Sequence, residues 1–266
     1  TINHCSRIIT YSEALTSTNN VIAARLHFYL QTSVPVLHRR GIKLLLHWLL
    51  GLPRLKPSLV PERNFVFALA QCPFDNDDVV HLEALQTIYR KLTNAVYDCP
   101  RYGNHWEKIG FQGTDPATDL RGVGLLGLLQ LLFLTIGLEN GELVKDIYRL
   151  SCDNVQNFPF AVMSLNITKI SLEALREETL NKCCNDRESI VDVVNEFYAG
   201  TFLQLYLSWK NQIMTIKDSG FVIKDISLLA KRRPQYVLQN LRGYQEERRS
   251  PATSEAFTNL TTVDNY

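Results

Sequence analysis

Apolar residues in this chain recur at helical spacing almost from end to end, and strict apolar/polar alternation is scarce. That constrains the fold most, because a repeat of about 3.6 residues cannot line one face of a strand. In residues 77–95, Val80, Leu82, Leu85, Ile88, Tyr89 and Leu92 fall largely on one stripe. Asp75, Asp77 and Asp78 precede or open it, where the positive end of a helix favours carboxylates. Ile190, Val193, Val194, Phe197, Phe202, Leu205 and Trp209 predict another long buried helix, with Gly200 as a candidate bend. No Asn-Gly or Asp-Gly hairpin joins alternating runs. The expected class is all-α: one helical domain over residues 81–235, an accessory helical region over 1–80, and a mostly disordered extension over 236–266.

Composition narrows the function. The chain has 266 residues, 45% of them hydrophobic, enough for a substantial core. A net charge of +1 gives no global field to attract nucleic acid. The charge-free stretch Val123–Leu138 contains three glycines and a glutamine. It is short of the roughly 20 apolar residues of a membrane span, so a buried core helix is expected. Pro35, Gly41, Gly51, Pro53, Pro57 and Pro61 punctuate the first 75 residues. Between them, His38, Arg39, Arg40 and Lys43 precede Leu44–Leu46 and Trp48–Leu50, a basic amphipathic segment able to lie on a membrane or pack on its own domain. Beyond Arg242 the sequence turns polar, and a mobile tail is expected.

Several signatures fail on inspection. The six cysteines include no C-x-x-C pair, and the adjacent Cys183 and Cys184 suit neither a zinc knuckle nor a routine disulfide, so reduced thiols are expected. No histidine pair has metal-ligand spacing, and the carboxylates of residues 75–78 are out of register for calcium. No metal or cofactor is expected. P-loop, nucleophile-elbow and kinase motifs are missing, so GTP binding by the chain itself and an independent active site are not expected.

The stretch 106–131, WEKIGFQGTDPATDLRGVGLLGLLQL, carries the functional signal. Arg121 stands at a polar turn before an apolar helix, with Gly122 and Gly124 just behind it. An arginine held where a backbone can approach is suited to stabilising phosphoryl-transfer charge in another protein's site. The alternative is an arginine tied to Asp115 or Asp119 that fixes the turn. Asp115-Pro116 is a good helix start, with Thr118 as rival cap. Were Thr118 the cap, Arg121 would sit in the first turn, against the helix dipole. Gly122, Gly124 and Gly127 spell G-x-G-x-x-G, but no strand precedes them, and close packing or partner approach is the better use.

The stretch resembles the signature of ELMO-domain proteins. Trp106, Gly110, Phe111, Gln112, Pro116, Thr118, Asp119, Leu120, Arg121, Gly122, Gly124, Leu128 and Leu131 all fall in place over 26 positions. Distal stretches FYAGTFLQLYLSWK and KDSGF look like the later helices of the ELMO-domain-containing subfamily. The resemblance implies GTPase activation toward a GTP-bound Arf-family or Arf-like partner, with Arg121 as the supplied arginine. The reduced thiols add the expectation of a cytoplasmic protein, with cytoskeletal or peripheral membrane association open. Trp106 and Phe111 are expected to anchor the loop; Gln112 has a structural or partner-contact role, or orients water. Gly110, Pro116, Thr118, Asp119, Gly122 and Gly124 are expected to support the motif or the partner contact. The alternative is a non-catalytic scaffold that binds a small GTPase or a cytoskeletal regulator.

Overall fold

The computed structural model describes residues 7–32, 51, 53–138 and 141–249. The basic segment His38–Leu50, Cys5 and residues 250–266 lie outside them. Helices dominate, and no strand forms among the described residues. In order they are α1 (Tyr11–Thr32), α2 (Val60–Gln71), α3 (Val79–Thr93), α4 (Pro116–Leu120), α5 (Gly124–Leu132) and α6 (Glu142–Ser151). There follow α7 (Phe160–Arg176), α8 (Asn181–Arg187), α9 (Val191–Asn211), α10 (Ser219–Arg232) and α11 (Pro234–Arg249).

Local chemistry sets several boundaries. The Asp78 carboxylate accepts the Val80 N–H at 2.9 Å and caps α3, while Asp75 accepts the Asp77 N–H at 2.9 Å. The acidic cluster is therefore a helix start. Asn94 ends α3 in the left-handed region, φ 56°. Thr215 and Asp218 form a reciprocal capping box before α10.

The apolar run is the core. Every residue of α5 is buried, and α1, α2, α3 and α7 pack around it. Beyond Leu132 the helix widens into a π turn, Phe133–Gly137, whose Phe133 ring meets Tyr11 of α1 edge-on. Gly127 permits the approach of α7, since a Cβ there would stand 2.8 Å from a Leu165 methyl. No single helix among the described residues is long and apolar enough to cross a membrane. The second long helix, α9, packs against α7, α10 and α11. A hydroxyl pair, Ser164 and Tyr198 at 2.6 Å, and the stacked rings of Phe160 and Phe202 join it to α7.

One hydrophobic cluster joins Ile9, Ile22, Val66 and Phe67 to the core residues of α5, α7 and α9, so α1 and α2 share the core of residues 81–235. At the other end the helical part runs past the expected boundary at residue 235, and the rest of the expected extension, 250–266, lies outside the described residues. Residues 236–249 are helical, and Val237, Leu238 and Leu241 are buried. The Tyr244 hydroxyl donates to Asp146 at 2.9 Å. The physical reason is a narrow apolar stripe within a polar segment. Gly200 serves this contact: a Cβ there would stand 2.7 Å from the Val237 carbonyl oxygen. Cys72, Cys99, Cys183 and Cys184 are buried free thiols, and Cys152 is an exposed one. Burial pushes the Cys99 and Cys184 thiols up to about 12, which keeps them protonated.

Candidate functional site

The conspicuous stretch forms a keyed loop between α3 and α5. Trp106 and Ile109 lie fully buried in a 3₁₀ turn, Asn104–Ile109. The Trp106 indole N–H donates to the Arg101 carbonyl at 3.0 Å, and its ring meets Tyr89 and Phe111 edge-on. Trp106 and Phe111 are thus core anchors. Beside them, His105 donates to the Pro100 carbonyl at 2.9 Å; burial holds its pKa below the ordinary imidazole value and favours the neutral ring.

Two glycines are demanded by close backbones. Gly110, at φ 87°, would place a Cβ 2.2 Å from the Phe160 nitrogen, and its carbonyl accepts the Val162 N–H at 3.1 Å. The loop is therefore keyed onto the first turn of α7. Gly124, at φ 57°, would place a Cβ 2.6 Å from the carbonyl oxygens of Leu69 and Ala70. Leu125 then donates to the Cys72 carbonyl at 2.9 Å, fixing the start of α5 to the end of α2.

The carboxylates are spoken for. Asp115 caps α4 by accepting the Ala117 N–H at 2.9 Å, with Pro116 buried behind it. The same oxygen takes the Arg101 guanidinium at 2.7 Å. Arg101 is wedged against the rings of Phe74 and Tyr102, 4.6 and 4.5 Å from their centroids, and also donates to Asn76 at 2.9 Å. Asp119 accepts the Gln112 backbone N–H at 2.7 Å, while the Gln112 and Thr118 side chains stand in solvent. The rival cap is excluded, since Thr118 lies inside α4.

Arg121 is what remains. It sits at the C-cap of α4, where the carbonyl end of a helix favours a cation. It is exposed and makes no hydrogen bond or ion pair among the described residues. Neither Asp115 nor Asp119 holds it, so the tied-arginine reading does not describe this turn. Gly122 is exposed too, and a Cβ there would meet only Lys169, 3.4 Å from its Cε and 3.8 Å from its Nζ. Nothing within the chain compels a glycine at that position. Lys169, exposed on α7, adds a second cation beside the turn.

Trp106, Gly110, Phe111, Gln112, Pro116, Thr118, Asp119, Gly122 and Gly124 thus lie with Arg121 on the one segment from the end of α3 to the start of α5, some of them as core anchors or close-packed glycines and Gln112, Thr118 and Gly122 exposed. Sequence reasoning missed Arg101, Asn76 and Lys169. Their partners lie across the fold, and no local spacing signals them. No group of metal-binding side chains occurs among the described residues.

The all-helical chain that carries this arginine turn falls into a known class of domain. The sequence profile of the ELMO/CED-12 family matches residues 64–223, more than half of the chain, and the chain belongs to that family. Within it, the chain is 46% identical to ELMO domain-containing protein 3 of Homo sapiens over 238 residues, covering 90% of this chain and 62% of the human protein. The Mus musculus protein of that name is 45% identical over 244 residues, 91% of this chain and 63% of the mouse protein. ELMO domain-containing protein 2 of Homo sapiens is 31% identical over 108 residues, 41% of this chain and 36% of that protein. The chain thus spans less than two thirds of the length of these relatives. No solved structure matches it.

Proposed function

We propose that this protein is a GTPase-activating protein for Arf-family or Arf-like small GTPases, acting in the cytoplasm, and that Arg121 is the arginine it supplies. One observation carries the reading: Arg121 is exposed and unpaired although two carboxylates lie within six residues of it, each already engaged elsewhere. A cation kept free at a rigid turn is available to the partner's transferring phosphoryl group. There its planar donors bond the oxygens on which charge accumulates. The bare backbone at Gly122 leaves room for the partner to approach, and Lys169 adds attraction for an anionic site. The GTP, the magnesium ion and the water-orienting glutamine belong to the partner in this scheme. Gln112 then serves as a contact and not as the water-positioning group.

The test is single-turnover GTP hydrolysis by a panel of Arf and Arf-like GTPases, with the wild type or Arg121→Lys added. A supplied arginine is worth about 10³–10⁵ in rate. Lysine keeps the charge but loses the two-pronged geometry. Most of the acceleration is expected to vanish in the variant while binding persists. Binding to a GTP-loaded partner without any acceleration by the wild type would replace this reading with the scaffold one.

A further inference from the structure

A cavity of about 480 Å³ opens between α8, α10 and α11, away from the arginine turn. Lys182, Lys231, Arg232 and Arg233 line it, and no carboxylate does. Lys231 is already engaged, by Glu173 and Glu177 at 3.0 Å each, and Asp186 of α8 lies within electrostatic reach of Cys183 without lining the cavity. Lys182, Arg232 and Arg233 are exposed and without a hydrogen bond or ion pair from their side chains among the described residues. The buried Cys183 in the lining stays protonated, because burial raises its pKa, and so brings no negative charge.

The start of α11 adds uncharged donors. Pro234 has no N–H, and the first loop-to-helix bond is from Val237 to the Arg233 carbonyl at 3.2 Å. The N–H groups of Gln235 and Tyr236, both residues of the cavity lining, are left as donors at the positive end of a long helix. Pro53, Pro234 and the half-exposed Tyr236 supply apolar surface. Three free cations, two of them guanidinium forks, match phosphomonoester groups better than a single carboxylate. The volume suits a small ring, within the usual ligand range of about 300–1,000 Å³.

We propose that this cavity binds a multiply phosphorylated small polyol of the inositol phosphate class, either free or as a lipid headgroup. Its position gives the site a bearing on the first one. Lys169, beside Gly122, and the Lys231 partners Glu173, on α7, and Glu177, at its C-cap, follow one another at four-residue steps. The two sites therefore share one helix face, with Lys169 and Glu177 about 12 Å apart along its axis. A headgroup held in the cavity would orient the arginine turn relative to a membrane.

Binding is measured without any GTPase, so its outcome is independent of the activation reading. The full chain is titrated calorimetrically with inositol 1,4,5-trisphosphate at about 0.15 M salt. It is also sedimented with vesicles carrying phosphatidylinositol 4,5-bisphosphate or phosphatidylserine at equal total charge. Saturable trisphosphate binding is expected, weakened about tenfold or more in a Lys182→Ala/Arg232→Ala/Arg233→Ala variant. A Lys217→Ala/Lys224→Ala control, changing exposed lysines outside the cavity, is expected to bind as the wild type does. Capture by the bisphosphate vesicles over the phosphatidylserine ones identifies the lipid source; trisphosphate binding without capture identifies the free one. No binding to either probe, or equal weakening in both variants, overturns the proposal.

Discussion

The carboxylate of Asp119 receives the backbone N–H of Gln112, seven residues earlier, at 2.7 Å. That bond closes the loop leading into α4 and removes from Arg121 the acid closest to it in sequence. Asp119→Ala opens the loop and leaves the Gln112 N–H to water. A hydrogen bond to a charged group is worth about 1.5–3 kcal/mol, and the loop's solvent exposure places this one at the lower end. A loss near 1.5 kcal/mol is expected in urea unfolding, with faster amide exchange at Gln112. Because a misplacement of about 1 Å can cost about 10²-fold in rate, GTPase stimulation should fall far more than stability does.

Gly110 and Gly122 should respond in opposite ways to the same change. Gly110→Ala forces a Cβ into the backbone of Phe160 at positive φ, and a loss of about 3 kcal/mol or more is expected in chemical unfolding. Gly122→Ala meets only a lysine methylene at ordinary contact distance, and its stability should stay within about 0.5 kcal/mol of wild type. Its loss should appear in single-turnover hydrolysis, where the added methyl stands between the turn and the partner. Unaltered stimulation by Gly122→Ala would remove that backbone from the contact.

Acidification should loosen the loop from beneath. Burial lowers the pKa of His105 below its ordinary value of 6.5, so the unfolded chain binds the proton more readily than the folded one. The contribution of this residue is present above pH 6.5 and is lost as pH falls through the folded pKa. Thermal unfolding between about pH 7.5 and 5.5 is the measurement. His105→Gln, neutral throughout, should show a smaller drop in Tm across that window than the wild type, and an equal drop would assign the dependence to other groups.

The last helix carries weight despite its polar composition. Leu241 is fully buried, and Leu241→Ala is expected to cost about 2–4 kcal/mol in urea unfolding. A change below about 0.5 kcal/mol would mean that α11 is not docked in solution.

What could be read from the residues alone was what short-range chemistry decides. The Asp115-Pro116 start, the carboxylate cap at Asp78, the core character of Val123–Leu138 and the anchoring by Trp106 each depend on neighbours in sequence. Gly200 looked like a bend because its partner, Val237, comes from a helix that composition had concealed. In that helix Val237, Leu238, Leu241 and Tyr244 make a stripe only one residue wide in places, and average polarity hides it. The pairing of Arg101 with Asp115, and the lysine beside Gly122, depend on where distant segments meet. Sequence spacing therefore left two fates for Arg121 open; the positions of two other side chains' partners closed one of them.

Both ends of the loop rest on the same helix. Gly110 is keyed to α7 at Val162, and Gly122 lies beside Lys169 about two turns further along. The arginine is thus mounted like a tool on a rail, its reach fixed by a rod that also forms part of the core. Inserting or deleting loop residues would break that registration before it could retune it. The exposed side chains along the rail, Lys169 among them, are under no such constraint: a single substitution there redraws the surface beside the turn and leaves the arginine in place.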